Sequence, residues 1–191
     1  MINKTVAILA GGKSSRMNYN NKALLSYKEI TFIEHIIKAA SNYKEVVIVT
    51  NDKSPYERFG VRIVEDIFKG NGPLSGIHSA LKNSTTNHVL CIACDMPLTS
   101  KSLLDYMGTV SESYEVLIPK YKDRLQPLCS IYTKSIIDNL ENSINKNENK
   151  LQKLIFSLDY KVIERLEDRE FNKMDFFNVN TPSDFKVLED S

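Results

Sequence analysis

Thr5-Val6-Ala7-Ile8-Leu9-Ala10-Gly11-Gly12-Lys13-Ser14-Ser15-Arg16-Met17 passes from a short apolar run into two glycines and then into basic residues, and Lys22 follows five positions later. The apolar half predicts a strand over residues 5–10, ending where the glycines begin. Two glycines in succession remove Cβ atoms where backbone N–H groups could approach phosphate oxygens, and they permit backbone angles closed to other residues. Arg16 suits bidentate contact with phosphate, while Lys13 and Lys22 act as compact point charges. The segment reads as a holder for a polyphosphate. Gly12-Lys13-Ser14 does not close a Walker A loop at the right spacing, since Ala7 stands where that pattern needs its first glycine, and no Gly-x-Gly-x-x-Gly fingerprint is present, so those two nucleotide readings are set aside.

Outward from that strand, short apolar runs alternate with amphipathic ones. Residues 32–40 predict a helix, 45–50 a β-branched strand buried on both faces, and 61–64 a short strand. Gly72-Pro73 opens a helix through about Leu81, and 88–93 reads as another buried strand. This β-α-β-α rhythm predicts a three-layer α/β fold, a mostly parallel central sheet with helices on both faces. Ligands bind beyond the carboxyl ends of such strands, which nominates Gly11-Gly12, Asn51-Asp52, Glu65-Asp66 and Asp95. The C-terminal third is more irregular. Strands are expected at 114–119 and 127–133 around a charged loop, 120–124, and helices at 136–144 and 151–158 around an Asn-rich turn. Short strands at 160–166 and 176–180 then precede a terminal helix from Ser183. With no repeat, Pro-rich linker or break, residues 1–191 read as a single domain.

Composition narrows the function classes. A net charge of +1 creates no global field toward nucleic acid or an anionic membrane, so any anion site must be local. No stretch approaches a membrane span and no secretory leader is recognisable, which makes cytoplasmic residence the default expectation. The three cysteines are an odd number, against a disulfide framework. Cys91 and Cys94 lie three apart on an apolar run and so point to opposite faces, which favours small core residues over a redox or metal pair. His35, His78 and His88 show no ligand spacing.

Leu9-Ala10-Gly11-Gly12-Lys13-Ser14-Ser15-Arg16-Met17, Lys22-Ala23-Leu24-Leu25, Gly72-Pro73-Leu74-Ser75-Gly76, Cys94-Asp95-Met96-Pro97, Gln126-Pro127-Leu128 and Asn178-Val179-Asn180-Thr181-Pro182 together resemble the MobA-type molybdenum cofactor guanylyltransferases, in that family's order and over nearly the whole chain. The resemblance implies a Rossmann-like nucleotidyltransferase that transfers GMP from GTP to molybdopterin, releases pyrophosphate and uses a divalent metal, Mg²⁺ with Mn²⁺ as the alternative. It also implies contact with molybdenum insertion proteins. On the matching positions it assigns Leu9, Ala10, Gly11, Gly12, Lys22, Asn51, Asp66 and Asp95 to nucleotide binding, Asp95 to the metal, and Asp95, Lys22 and Arg16 to catalysis. Leu-Ala-Gly-Gly, as here, resembles the GTP users more than related cytidylyltransferases.

Residue chemistry is consistent with these assignments and leaves alternatives open. An acid at the carboxyl edge of a parallel sheet can bind Mg²⁺, or serve as a turn or N-cap Asp. Lys22 alone would be a solvated helix residue. Asp66 can accept from the N1–H and N2–H₂ donors of guanine or from ribose hydroxyls, though Asn51 and Asp66 equally suit turns. Asn178 and Asn180 fall near the metal or acceptor by resemblance, while Asn180 or Thr181 would also cap the terminal helix. The basic loop 120–124, beside Gln126-Pro127-Leu128, is either an acceptor contact or simply solvated. Two departures stand out: Asn18 where the family has Gly, and Asn21 where it often has Asp before the lysine. The competing functions are a nucleotidyltransferase using CTP or a sugar-phosphate acceptor, and a non-catalytic GTP-binding adaptor.

Overall fold

The computed structural model describes residues 1–11, 21–111, 113–164, 166, 171 and 174–190. The chain opens with β1 (Ile2–Leu9) and reaches a small hairpin, β2 (Ser26–Tyr27) and β3 (Ile30–Thr31), that leads into α1 (Phe32–Ala39). There follow β4 (Tyr43–Val49), β5 (Arg62–Val64), α2 (Pro73–Asn83), β6 (His88–Ala93) and α3 (Lys101–Thr109). The remainder comprises β7 (Val116–Tyr121), β8 (Arg124–Leu125), β9 (Cys129–Thr133), α4 (Ile137–Asn145), α5 (Leu151–Ile155), β10 (Tyr160–Ile163) and α6 (Pro182–Glu189).

The sheet order is β10-β7-β9-β6-β1-β4-β5, with β8 paired only to β7. β1 lies between β4 and β6 and is parallel to both; β5 extends the parallel set beyond β4. β9 runs antiparallel to both of its neighbours, β6 and β7, and β10 is parallel to β7. The expected mostly parallel sheet is therefore present, with its reversal confined to the irregular third. Along β1, Val6 and Ile8 enter one core layer with α1 and α3 (Ile33, Ile36, Leu103, Met107), while Ala7 enters the other with α2 and α4 (Leu74, Ile77, Leu140). This alternation is the strand's period of two, and it places helices on both faces. Cys91 and Cys94 contact opposite layers, as their spacing predicted.

Local chemistry sets the helix ends. Thr31 and Glu34 form a capping box at α1, Ser100 Oγ accepts from Leu103 N at α3, and Thr181 pairs with Asp184 at α6. Gly72 has φ +58° before Pro73, a conformation that favours glycine.

Several boundaries differ from expectation. Residues 176–180 form no strand: Val179 N donates to Asp95 O at 2.9 Å, so this extended segment is fastened to a loop rather than to a sheet edge. The strand expected over 160–166 stops at Ile163, and the helix expected over 151–158 stops at Ile155 in turns. The terminal helix begins at Pro182 because Thr181 is the cap. α3 and the β2–β3 hairpin carried too weak a periodicity to be anticipated.

Candidate active site

Two clusters form beyond the carboxyl ends of the parallel strands. The first is a cleft of about 190 Å³ lined by Leu9, Gly11, Val49, Asp66, Gly72, Pro73 and Gly76. β1 delivers Leu9, the residues just beyond it Gly11, β4 delivers Val49, the loop after β5 delivers Asp66, and the start of α2 supplies the rest. Backbone bonds hold these strand ends level: Ala10 N to Val49 O at 2.9 Å, Thr50 N to Val64 O at 2.9 Å, and Cys94 N to Leu9 O at 3.2 Å. A Cβ on Gly76 would lie 3.2 Å from Leu9 Cδ2, so the glycine lets α2 approach the end of β1 closely. A Cβ on Gly11 would lie 3.8 Å from Asp66 Oδ2, which puts the carboxylate beside Gly11.

Asp66 is held by Asn51 in a two-way exchange. Asn51 Nδ2 donates to Asp66 Oδ2 at 2.8 Å, and Asp66 N donates to Asn51 Oδ1 at 3.2 Å. Asp66 Oδ1 is buried without a partner among the described residues. Burial pushes this carboxyl above its ordinary value, opposed by the Asn51 bond and by Lys69. Its loop is further fastened to α2 by Ile67 N donating to Ser79 Oγ at 2.8 Å.

The second cluster is cationic. Lys22 opens a short 3-10 turn whose preceding residue, Asn21, accepts through Oδ1 from Ala23 N at 3.2 Å and from the fully buried Tyr56 hydroxyl at 3.0 Å. Lys22 Nζ donates to Asn180 Oδ1 at 2.7 Å and lies 3.9 Å from Asp95 Oδ2, a loose ion pair beyond hydrogen-bonding range. Asn180 N and Thr181 N both donate to Asp184 Oδ2, at 2.9 and 2.8 Å, which fixes the peptide that carries the amide. Burial raises the Asp95 carboxyl above the usual range, Lys22 pulling the other way. Asp95 Oδ1 is buried without a partner among the described residues.

The donor set fits a hard divalent ion in one particular way. Among the described residues no group of three or more His, Cys, Asp or Glu side chains could hold a metal. A single carboxylate with an unpartnered oxygen suits Mg²⁺, which keeps several waters and completes its shell with substrate phosphates.

Leu9, Gly11, Asn51 and Asp66 thus come together in the first cluster, and Lys22, Asp95 and Asn180 in the second. Gly12, Lys13, Arg16 and Asn18 lie outside the described residues. Glu65 is drawn to Lys53 and takes no part in either cluster. Asn178 turns its amide to Phe176 O at 3.2 Å. The histidines have structural partners: His35 Nε2 meets Tyr27 O, His78 Nε2 meets Glu141 Oε1, and His88 sits edge-on to Tyr114. In the basic loop, Lys120 pairs with Asp123 at 3.4 Å. Tyr56 was not legible as a site residue, because its contact with Asn21 spans 35 residues and no local pattern marks it.

A wider cleft of about 650 Å³ adjoins the first and shares Pro73 with it; Pro127, Lys150, Gln152, Lys153 and Phe156 complete most of its wall.

Comparison with known proteins supplies the context for this geometry. Residues 6–162 match the model of the MobA-like NTP transferase domain. A Clostridium perfringens protein named "Probable molybdenum cofactor guanylyltransferase" is 48% identical over 194 residues, covering 98% of this chain and 97% of that protein. A protein of the same name from Carboxydothermus hydrogenoformans is 35% identical, covering 98% and 96%. The crystal structure of molybdopterin-guanine dinucleotide biosynthesis protein A from Archaeoglobus fulgidus superposes with a TM-score of 0.82 at 28% identity, covering 97% of each chain.

Proposed function

The chain belongs to the MobA-like NTP transferase family, and from that premise we propose that it transfers GMP from GTP to molybdopterin, forming the guanine dinucleotide cofactor and releasing pyrophosphate. The observation that carries this reading is the meeting of Lys22, Asp95 and Asn180 at the same sheet edge as the Gly11–Asp66 cleft.

The reaction is an in-line displacement at the α-phosphorus by a terminal phosphate oxygen of the acceptor. That nucleophile is already anionic, so no strong protein base is needed, and catalysis consists of aligning two anions and neutralising charge. Leu9, Ala10 and Gly11 meet the nucleotide through backbone groups, and Gly12 is assigned to the same contact. Asp66, oriented by Asn51, accepts from the N1–H and N2–H₂ donors of guanine. Lys22 and Arg16 neutralise the phosphates. Asp95 holds the metal, Mg²⁺ with Mn²⁺ as the alternative; when bound, it supplies charge stabilisation at the α-phosphate and the departing pyrophosphate. Molybdopterin occupies the wider cleft, where Lys150 and Lys153 stand near Pro127 and the shared Pro73 makes acceptor and nucleotide neighbours. No helix among the described residues is long and apolar enough to cross a membrane. The product passes to molybdenum insertion proteins in the cytoplasm.

Calorimetric titration with GTP, CTP, ATP and UTP, each with and without Mg²⁺, tests the reading. The expected result is metal-assisted preference for GTP, with Asp95→Ala losing pyrophosphate release far more than nucleotide binding. Preference for CTP, or full turnover by Asp95→Ala, overturns it.

A further inference from the structure

Among the described residues, Lys22 is the one cation within 4 Å of the Asp95 carboxylate. It is not a freely swinging side chain. Its ammonium is tethered at 2.7 Å to Asn180, whose peptide is pinned by Asp184, and its own turn is pinned through Asn21 to buried Tyr56. The side chains of Lys22 and Asp95 are only 15% and 20% exposed, so water screens their interaction weakly.

A dication placed on Asp95 meets this tethered ammonium at short range. Two like charges a few ångströms apart in a partly dry site repel, and the repulsion is relieved only when an anion arrives that both can share. A nucleoside triphosphate is such an anion. With Asp95 as the metal ligand, a reading taken from the proposed function above, we propose that Lys22 serves as the resident counter-cation of Asp95 and makes divalent-metal binding conditional on nucleotide. Metal and nucleotide then raise each other's affinity, as linkage requires of any such coupling. Lys22 acts as a binding-order device as well as a phosphate contact, and Asn180 is the positioning residue that keeps it in place.

The test is Mn²⁺ binding to the nucleotide-free protein, read by electron paramagnetic resonance of the free ion. Lys22→Met removes the competing charge and is expected to bind Mn²⁺ on the order of tenfold more tightly than the unmodified chain. Lys22→Arg keeps the charge and is expected to match the unmodified chain. Lys22→Gln repeats the neutralisation with a polar side chain should the Met variant fail to fold. Neutral variants that bind Mn²⁺ no more tightly than the unmodified chain overturn the proposal. Asp95→Asn separates the two readings. If it abolishes Mn²⁺ binding while the neutral Lys22 variants show no gain, the coupling alone fails. If Asp95→Asn binds Mn²⁺ unchanged, the metal assignment fails and takes the coupling with it.

Discussion

Lys22 Nζ donates to Asn180 Oδ1 at 2.7 Å, a bond that joins the short turn opened by Lys22 to a residue 158 positions away. Because one partner is charged, its loss costs more than an ordinary exposed hydrogen bond. Asn180→Ala is expected to lower kcat/KM for GTP by about 10- to 100-fold, the equivalent of one charge-assisted bond. Pyrophosphate release across a GTP series checks this, with thermal unfolding as a control. Unchanged kinetics would show that Lys22 needs no such holder.

Asn51 holds Asp66 at two points, donating through Nδ2 to the carboxylate and accepting through Oδ1 from the Asp66 backbone N–H. Asp66→Asn replaces one of two acceptor oxygens with a donor, which under the proposed guanine contact would meet the base N–H groups head-on. Selectivity for GTP over ATP is expected to fall by about 10-fold or more, as when a buried polar group loses its complement. Competition binding with the two nucleotides reads the ratio. Asn51→Ala should weaken GTP through the freed Asp66 and leave the triphosphate's dependence on metal unaltered.

Two glycines separate a site effect from a core effect. In Gly76→Ala the new methyl would lie 3.2 Å from Leu9 Cδ2, so that leucine, which lines the cleft, must shift. In Gly108→Ala it would lie 2.7 Å from Ile2 Cδ1 and 2.9 Å from the Tyr43 hydroxyl, in a part of α3 that lines neither cleft. The expected outcome is a raised KM for GTP in Gly76→Ala with little loss of stability, and about 1–3 kcal/mol of destabilisation in Gly108→Ala with KM intact. Denaturant unfolding alongside kinetics distinguishes them; a reversed pattern would contradict the packing described.

The opposite end of the sheet holds Glu45, whose carboxyl the fold depresses. Glu45 is partly desolvated, which alone raises its carboxyl, yet it accepts from the Thr85 backbone, Thr5, Arg62 and the Thr85 hydroxyl and is held down at about 2. A carboxyl depressed in the folded state contributes its stability above its ordinary value of 4.5, and that contribution is lost as pH falls from there toward 2. Glu45→Gln is therefore expected to lower Tm at pH 7 and to converge on the unmodified chain as pH approaches 2. Melting curves across that window check the convergence.

Much of this arrangement was legible in the order of residues. The parallel half of the sheet is written in β-branched runs, and a parallel sheet sends its carboxyl ends to one edge, which is why Gly11, Asp66 and Asp95 could be named together. The strand expected at 176–180 failed because an extended stretch looks alike whether its N–H groups meet a strand or, as Val179 does, a loop carbonyl. α3 was not anticipated because its apolar positions, Leu103, Leu104 and Met107, are few and interrupted by polar residues and a glycine. The roles of Asn180 and Tyr56 are long-range contacts, and nothing within a few residues of either encodes its partner. Asn21 was visible only as a departure; the structure gives it an acceptor role at the foot of the Lys22 turn.

Val179 N on Asp95 O, with Asn180 on Lys22, also sets an order in time. Translation delivers Lys22 and Asp95 long before the segment that clasps them. A nascent chain can pair the strands of its sheet and still lack the amide that steadies the ammonium. Catalytic competence would then wait on this later segment, arriving only when it leaves the ribosome and closes over strands that are already paired.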